Sequence, residues 1–387
     1  MSEAVLLRPA PVRAPDRVPV RSAAPVRVAG LDGLRGLCAL YVLLFHCWAY
    51  TFKGFPRTLG PSWLHWLGMG RFAVIFFLVL SGFSLALSAA GNGWRLGGVR
   101  RFLKRRAWRI LPAYWAALVF SLIITLTVVK MPHSAPPNTR SVVVFGLLLQ
   151  DVVPAPTPNG AFWSISVEAL LYLTFPLLLL ITRRAGVWTM LLCASVPVVV
   201  AGLILDPPWF ADRHLAWQLL PVFAAGVAAA GILRADDRVR RLPWFWLSMA
   251  AAAPVAALMA IRGGAWVVRH YFWLDLAVTP ALAMLVVALA TARPAPLVRF
   301  LSTRPLVWLG SFSYSLYLIH LPIVVAIYLT VVKPRLGHSL EAFAMTTVVA
   351  GGVSLITAWL FARLFEFPFQ RHRSVAALLR SRPQRTS

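Results

Sequence analysis

Acidic residues are scarce in this sequence. Its 387 residues include 12 Asp and Glu against 38 Lys and Arg, and charged residues of both signs make up only 13% of the chain. A soluble domain has about 25% charged and about 45–50% apolar residues, whereas 59% of this chain is hydrophobic. The composition excludes an ordinary water-soluble globule, a disordered chain and a coiled coil. With a mean hydropathy of +0.74, it is typical of a polytopic membrane protein.

Cysteine is also rare. Cys38, Cys47 and Cys193 lie in apolar segments, are odd in number and show no CxxC spacing, so neither a disulfide framework nor a zinc site is indicated. Residues 1–30 are rich in Pro and Arg but lack the apolar core and cleavage site of a signal peptide. We expect a disordered basic cytoplasmic tail at 1–30, a membrane domain at 31–371 and a second basic cytoplasmic tail at 372–387.

Long apolar segments dominate the rest of the chain. A membrane-spanning helix needs about 20 such residues, and ten segments qualify: 33–52, 71–90, 109–130, 161–182, 187–205, 216–233, 244–261, 272–291, 308–330 and 342–364. The predicted fold is therefore all-α, a polytopic transmembrane helix bundle of about ten spans. An eleventh apolar run, 141–153, is short and leads into three prolines, so we expect it to be re-entrant or interfacial.

The net charge of +26 is explained by topology rather than by a nucleic-acid partner. With ten spans and the N-terminus inside, 26 of the 38 basic residues fall in inner segments and 10 in outer ones, as the positive-inside rule requires. A further span at 141–153 would move Arg183 and Arg184 to the outside, against that bias. We therefore expect a multi-pass protein of the plasma (inner) membrane with both termini cytoplasmic.

Ionisable residues within the spans are few, and each is costly in hydrocarbon and hence a functional candidate. Arg35 and His46 lie eleven positions apart in the first span, so one helical face carries both, about 16.5 Å apart along the axis. A guanidinium at the inner end can bind phosphate, and an imidazole deeper in the membrane can take a proton from a hydroxyl. Alternatively, Arg35 reaches lipid headgroups and His46 is hydrogen-bonded within the bundle.

Several motifs follow one another in a fixed order along the chain. They are LDGLRGLCALYVLLFHC (31–47), FFLVLSGFSLAL (76–87), RRAWRILPAYW (105–115), FWSISVEALLYLTFP (162–176), FSYSLYLIHLP (312–322) and FEFPFQR (365–371). Together they resemble the integral-membrane acyltransferase 3 family over almost the whole chain. The sequence departs from the family at Glu168, which is followed by Ala169 where many members carry a second Glu.

The resemblance implies a membrane O-acyltransferase whose donor is acyl-CoA, with acetyl-CoA as the expected case. His46 is then the general base or a transient acyl carrier, and Glu168, which lies at a similar depth, orients it. The expected CoA ligands are Arg35, Arg106 and Arg109, of which Arg35 is also a catalytic candidate. Further candidates for the substrate pore are Ser81, Trp163, Ser164, Tyr314 and His320. No metal is expected, because a thioester is already activated.

Each of these candidates also has a purely structural explanation. The arginines mark topology or contact anionic lipid, Ser81 lies beside Gly82 where helices pack closely, and Glu168 is a buried carboxylate with an Arg or Tyr partner. His320 is slightly better explained as a structural residue of the bundle. The family resemblance is what favours catalysis and binding over these alternatives.

The resemblance also suggests the acceptor. It is expected to be a hydroxyl of a cell-envelope or exported carbohydrate or glycolipid, with a polyketide-type metabolite as the minor option. A competing function is that of a transporter or flippase of a glycan or lipid precursor, since a polytopic bundle with intramembrane Arg, His and Glu also suits a carrier. Carriers often have two related halves, and no such repeat is evident in this sequence.

Overall fold

The computed structural model describes residues 28–56, 60–132, 134–205 and 216–372, and within these ranges all regular secondary structure is helical. The α-helices are α1 (Leu31–Thr51), α2 (Gly70–Ala90), α3 (Val99–Thr127), α4 (Thr139–Gly146), α5 (Trp163–Ile204), α6 (Leu219–Ile232), α7 (Asp237–Arg240), α8 (Trp244–Arg262), α9 (Gly264–Arg269), α10 (Tyr271–Ala290), α11 (Ala295–Leu301), α12 (Arg304–Ser311), α13 (Ser313–Ile327), α14 (Lys333–Leu336), α15 (Leu340–Phe361) and α16 (Phe367–Arg371). Short 3₁₀ helices cover Ser62–Met69 and Gly160–Phe162, and π-helical turns cover Tyr328–Val332 and Ala362–Glu366. The predicted all-α class is confirmed. Of the predicted tails, residues 1–27 and 373–387 lie outside the described residues.

In the described part of the chain, eight helical stretches are long and apolar enough to cross a membrane, and α6 is a shorter apolar helix. The stretch formed by α5 is interrupted at Gly186, whose φ of 90° and ψ of 167° are not helical. Only glycine adopts such a φ readily, so α5 divides close to the boundary between the predicted spans 161–182 and 187–205. The helices thus correspond to the ten predicted segments. How many of them cross the membrane, and on which side the termini lie, remain predictions.

The bundle has two distinguishable ends. At one end, here called the basic end, α1 and α3 begin and α2 ends; the Arg35 guanidinium there donates to Ser84 near the end of α2. The first turns of α3 bring six basic residues to this end: Arg100, Arg101, Lys104, Arg105, Arg106 and Arg109. At the opposite end, Thr51 at the end of α1 meets Thr346 in the second turn of α15. Among the eight membrane-length stretches, the one containing α13 is the most buried and α8 the least.

The connection between α3 and α5 is fixed to the bundle by Asn159, which is fully buried. Pro322 interrupts the hydrogen-bond pattern of α13, because it has no N–H to donate to the carbonyl of Leu318, four residues earlier. The Asn159 amide fills this vacancy by donating to Leu318 O at 2.9 Å, and it also donates to Ser121 Oγ at 3.2 Å. Its side-chain oxygen accepts from the N–H of Ala161 at 3.0 Å. One asparagine therefore joins α3 and α13 to the beginning of α5.

The predicted re-entrant segment 141–153 contains most of α4, an eight-residue helix about 12 Å long. Asn138 and Ser141 form a capping box at its start. After α4 the chain turns back, and Gln150 donates to the carbonyl of Phe162 at 3.0 Å. The segment therefore packs against the beginning of α5 instead of continuing as a long helix.

Helices α2 and α6 approach closely through two glycines. A Cβ atom on Gly82 would lie 2.2 Å from the carbonyl oxygen of Phe223, and a Cβ on Gly226 would lie 2.1 Å from that of Val79. Real Cβ atoms do not come so near to backbone oxygens, so both positions require glycine. Gly82 is therefore explained by helix packing, which is a common reason for small residues in membrane helices.

We expect Gly226→Ala to lower the midpoint of thermal unfolding of the detergent-solubilised protein by several degrees, because the added methyl group forces α2 and α6 apart. Gly352→Ala in α15 is the matched control, since no other heavy atom of the described residues lies within 4 Å of a Cβ there. Equal midpoints for the two variants would contradict this close packing.

Candidate active site

A cavity of about 620 Å³ lies between α1, α2, α3, α5 and α13 and extends from the basic end into the middle of the bundle. The predicted site residues that line it are Arg35, Ser81, Arg106, Arg109, Ser164, Glu168 and Tyr314. Tyr317 also lines it, next to Ser164 at the inner end. Residues from all six motifs, which are far apart in the sequence, thus share one cavity.

The guanidinium groups at the cavity differ in how far their hydrogen-bonding capacity is used. Arg35 donates to Asp32 Oδ1 at 2.9 Å and to Ser84 Oγ at 2.8 Å. Arg106 lies over the ring of Phe102, and its buried Nε has no hydrogen-bond partner among the described residues. A buried N–H without a partner is costly, so an anionic ligand in the cavity would stabilise Arg106.

Three carboxylates also line the cavity, and one of them supports the beginning of α13. Glu366, at the end of a π-helical turn, is buried and accepts hydrogen bonds from the backbone N–H and the hydroxyl of Ser315, at 3.2 and 2.5 Å. Gln370 donates to its second oxygen at 2.7 Å. A carboxylate in this place satisfies an unpaired N–H of the first helical turn. Glu366 therefore helps to hold α13, and with it Tyr314, at the cavity wall.

Glu168 is hydrogen-bonded to residues other than His46. Its Oε1 accepts from Ser81 Oγ at 2.9 Å and from the Tyr172 hydroxyl at 2.5 Å, and the carboxylate lines the cavity. A contact with His46 is not among the hydrogen bonds formed by the described residues. The expectation that Glu168 orients His46 is therefore corrected. Equal depth in the membrane does not determine which side of the helix faces which neighbour.

The partner of His46 is His320. The two rings meet through His46 Nδ1 and His320 Nε2, which are 3.0 Å apart. On its other side, His320 Nδ1 lies 2.8 Å from the carbonyl of Tyr317 and 3.0 Å from that of Leu316. His46 Nδ1 also lies 2.9 Å from the carbonyl of Val42. His320 itself is buried, whereas His46 is partly accessible.

These distances select the tautomer of both rings. A carbonyl oxygen can only accept, so His320 Nδ1 carries the hydrogen and its Nε2 is left as an acceptor when the ring is neutral. His46 Nδ1 must then be the donor to that nitrogen and to Val42. The remaining nitrogen, His46 Nε2, keeps its lone pair and is able to accept a proton. In this arrangement His320, and not Glu168, is the hydrogen-bond partner of His46.

His46 and His320 do not line the cavity, but they lie close to its inner end. Tyr317 lines the cavity and is one helical turn, about 4.5 Å along the axis, from His320. The Tyr317 hydroxyl meets Ser164 Oγ at 2.7 Å and donates to the carbonyl of Ala161 at 2.9 Å. Tyr317 therefore lies between the cavity, which it lines, and His320, whose ring centroid is 5.9 Å from its own.

A second charged group lies near the opposite end and was missed in the sequence. Arg71 forms an ion pair with Asp275, and its guanidinium lies against the rings of Trp163 and Tyr271. Trp163, predicted to line the pore, is thus placed beside Arg71 instead. Neither Arg71, the first residue of the predicted span 71–90, nor Asp275 was singled out, although Asp275, an acidic residue within the predicted span 272–291, is the kind of signal that marks a site.

Asp151 lies near this group, outside the membrane-length helices. Burial raises the pKa of its carboxyl to about 7, although the backbone N–H of Ala216 and the charge of Arg71 both lower it. Asp151 therefore changes its charge near neutral pH.

Among the described residues, no group of three or more His, Cys, Asp or Glu side chains is arranged to hold a metal ion.

Comparison with known proteins agrees with the motifs. The acyltransferase domain family matches residues 28–363. The acyltransferase MdmB of Streptomyces mycarofaciens is 30% identical over 85% of this chain and 86% of its own length. The O-acetyltransferase OatA of Staphylococcus aureus is 24% identical over 78% of this chain, which spans 51% of that relative's length. No solved structure matches the chain. The resemblance is thus confirmed: the chain belongs to the acyltransferase 3 family, and it is a membrane O-acyltransferase.

Proposed function

We propose that this enzyme transfers an acetyl group from acetyl-CoA, bound in the cavity at the basic end, to a hydroxyl group that approaches from the opposite end. The observation that carries the proposal is the position of the histidine pair, one helical turn beyond the inner end of a cavity that opens at the basic end. A donor in the cavity and an acceptor on the far side would meet at that level.

The donor side is supported by size and charge. A cavity of about 620 Å³ lies within the range of about 300–1,000 Å³ that is usual for small-molecule sites. Arg35, Arg106 and Arg109 would bind the phosphates of CoA, since planar guanidinium groups suit phosphate oxygens. The thioester would then point inward, toward Ser164 and Tyr317. Glu168, bonded to Ser81 and Tyr172, would form a polar wall of this cavity.

The reaction follows from the tautomer of His46. As the acceptor oxygen forms a bond to the acetyl carbon, His46 Nε2 takes the hydroxyl proton. The carbon–sulfur bond then breaks, and the imidazolium returns the proton to the departing CoA thiolate. His320 supports the positive charge that develops on His46, because its Nε2 accepts the Nδ1 hydrogen. The net change is one ester formed and one thioester cleaved, with no external oxidant or reductant.

The direction of transfer follows from the charge distribution. Basic loops favour the cytoplasm, so the basic end would face the cytoplasm, where acetyl-CoA is made, and the membrane would be the plasma membrane. The acceptor would be a carbohydrate or glycolipid of the envelope or one that is exported, with a polyketide-type metabolite as the minor option. OatA, named an O-acetyltransferase, supports acetyl as the group transferred.

We expect His46→Gln to reduce acetyl transfer by about 100-fold or more, the usual effect of losing a general base. His320→Leu should cause a similar loss, whereas His320→Gln should recover part of the activity because an amide oxygen can still accept from His46 Nδ1. The measurement is the ester-linked acetate of surface glycans in deletion strains that express each variant at equal abundance. His65→Gln is the control, since His65 is exposed and its hydrogen bond within the described part of the chain is to the carbonyl of Gly60. Full acetylation with His46→Gln would refute the proposal.

We expect Arg106→Gln to raise the KM for acetyl-CoA about tenfold, because a charge-assisted bond to phosphate is lost. The neighbouring Arg105→Gln is the matched control, since Arg105 is exposed and does not line the cavity. The assay uses membranes with radiolabelled acetyl-CoA. A KM that changes equally in both variants would contradict a donor site in this cavity.

A further inference from the structure

A polar cluster at the opposite end of the bundle takes no part in the reaction described above. Arg71, Trp163 and Tyr271 lie in the first turns of α2, α5 and α10, and Gln218 directly precedes α6. Asp275, one turn further along α10, has a fully buried side chain. Four separate helices are therefore needed to bring these five side chains together.

The guanidinium of Arg71 is held in one orientation. Its Nε lies 3.1 and 3.2 Å from the two carboxylate oxygens of Asp275, and its Nη2 lies 2.6 Å from Oδ2. The rings of Trp163 and Tyr271 lie 5.0 and 4.6 Å from Cζ. An arginine has five N–H groups, and three of these, two on Nη1 and one on Nη2, have no partner among the described residues. The side chain stays 19% exposed, so a ligand can reach these donors.

Gln218 adds an unused acceptor beside the same carboxylate. Its Nε2 lies 3.5 Å from Asp275 Oδ2, and its Oε1 is buried with no hydrogen-bond partner in the described part of the chain. Only 7% of Gln218 is exposed. A buried oxygen without a partner costs free energy, and a bound hydrogen-bond donor would remove that cost.

The free N–H groups of Arg71 and the free amide oxygen of Gln218 define the chemistry of a ligand. A hydroxyl group both donates and accepts, so neighbouring hydroxyls can satisfy Arg71 and Gln218 together. An ionised phosphate or carboxylate only accepts, would leave Gln218 Oε1 unpaired, and would be repelled by the nearby carboxylate of Asp275. The charge of Arg71 is already balanced by Asp275. The cluster therefore favours a neutral polyol over an anion.

The cluster is also close to the level at which the acetyl group would be delivered. Val74 and Ser164 line the inner part of the donor cavity. Val74 is three residues from Arg71, about 4.5 Å along α2, and Ser164 directly follows Trp163. Ser164 in turn bonds to Tyr317, whose carbonyl is a partner of His320. The cluster thus lies beyond the cavity, on the side away from the basic end.

We propose that Arg71, Gln218 and Asp275, with Trp163 and Tyr271, form an acceptor subsite that binds neighbouring hydroxyls of a neutral sugar. Arg71 donates to sugar oxygens, and the Gln218 amide oxygen accepts a sugar hydroxyl hydrogen. The identity of the ligand as acyl acceptor rests on the proposed function, but its binding does not require that transfer takes place.

Ligand-observed NMR titrations of the full chain in lipid nanodiscs test this subsite. The probes are methyl β-D-glucopyranoside and methyl β-D-glucuronide, which differ by a carboxylate at C6.

Two variants change the subsite itself. Arg71→Lys keeps a positive charge beside Asp275 but loses the planar guanidinium group. Gln218→Met keeps the side-chain length but loses the amide oxygen. Arg335→Lys is the matched control, since Arg335 also lies near the opposite end and, among the described residues, its hydrogen bond is to the carbonyl of Val331. The affinity for acetyl-CoA and the thermal midpoint are measured for every variant.

We expect the wild-type protein to bind the glucoside at least about tenfold more tightly than the glucuronide. Arg71→Lys and Gln218→Met should each weaken glucoside binding about tenfold, while the control and the affinity for acetyl-CoA stay unchanged. If one of the two variants is unstable, the glucoside affinity of the other variant tests the proposal. No saturable glucoside binding, tighter glucuronide binding, or unchanged affinity in the stable variants would overturn the proposal.

The same proteins separate this inference from the proposed function. Glucoside binding that depends on Arg71 and Gln218, in a protein that transfers no acetyl group, would leave the subsite standing and overturn the proposed function. Acetyl transfer with an acceptor KM unchanged in both variants would leave the function standing and overturn the subsite.

Discussion

The hydrogen bond between His46 and His320 is the interaction on which the account of this enzyme depends. A lone imidazole in a membrane bundle has no defined tautomer, so its ability to accept a proton at a given nitrogen is not assured. Here two backbone carbonyls of α13 fix His320, and His320 together with the carbonyl of Val42 fixes His46. The chain uses a neutral ring where other enzymes use a carboxylate. This choice avoids a buried negative charge beside the base.

The fold supplies the surroundings that this pair requires. Pro322 leaves the Leu318 carbonyl free, and Asn159 uses that carbonyl to fix the start of α5 against α13. Glu366 holds the other end of the same helix. The helix that carries His320 and Tyr317 is therefore restrained at its beginning and near its proline. Rigid support of this kind is what keeps a small set of polar groups in register.

The sequence was sufficient for the fold class and for the family, and it pointed to several residues that line the cavity. Arg35, Arg106, Arg109 and Glu168 were found because ordered motifs carry them, and the structure places them around one cavity. Helix depth, however, gives only the level of a residue along the membrane normal. It does not say which helix is the neighbour, so His46 was assigned to Glu168 instead of His320. Arg71 was hidden for another reason, since its partner is 204 positions away in the chain.

A double-mutant cycle of acetyl transfer on His46 and His320 tests the central claim most directly. If His320 acts only by orienting His46, then adding His320→Leu to His46→Gln causes no further loss, because residues that act as one unit are not additive. Losses that multiply in the double variant would show that His320 acts independently, and would contradict the account.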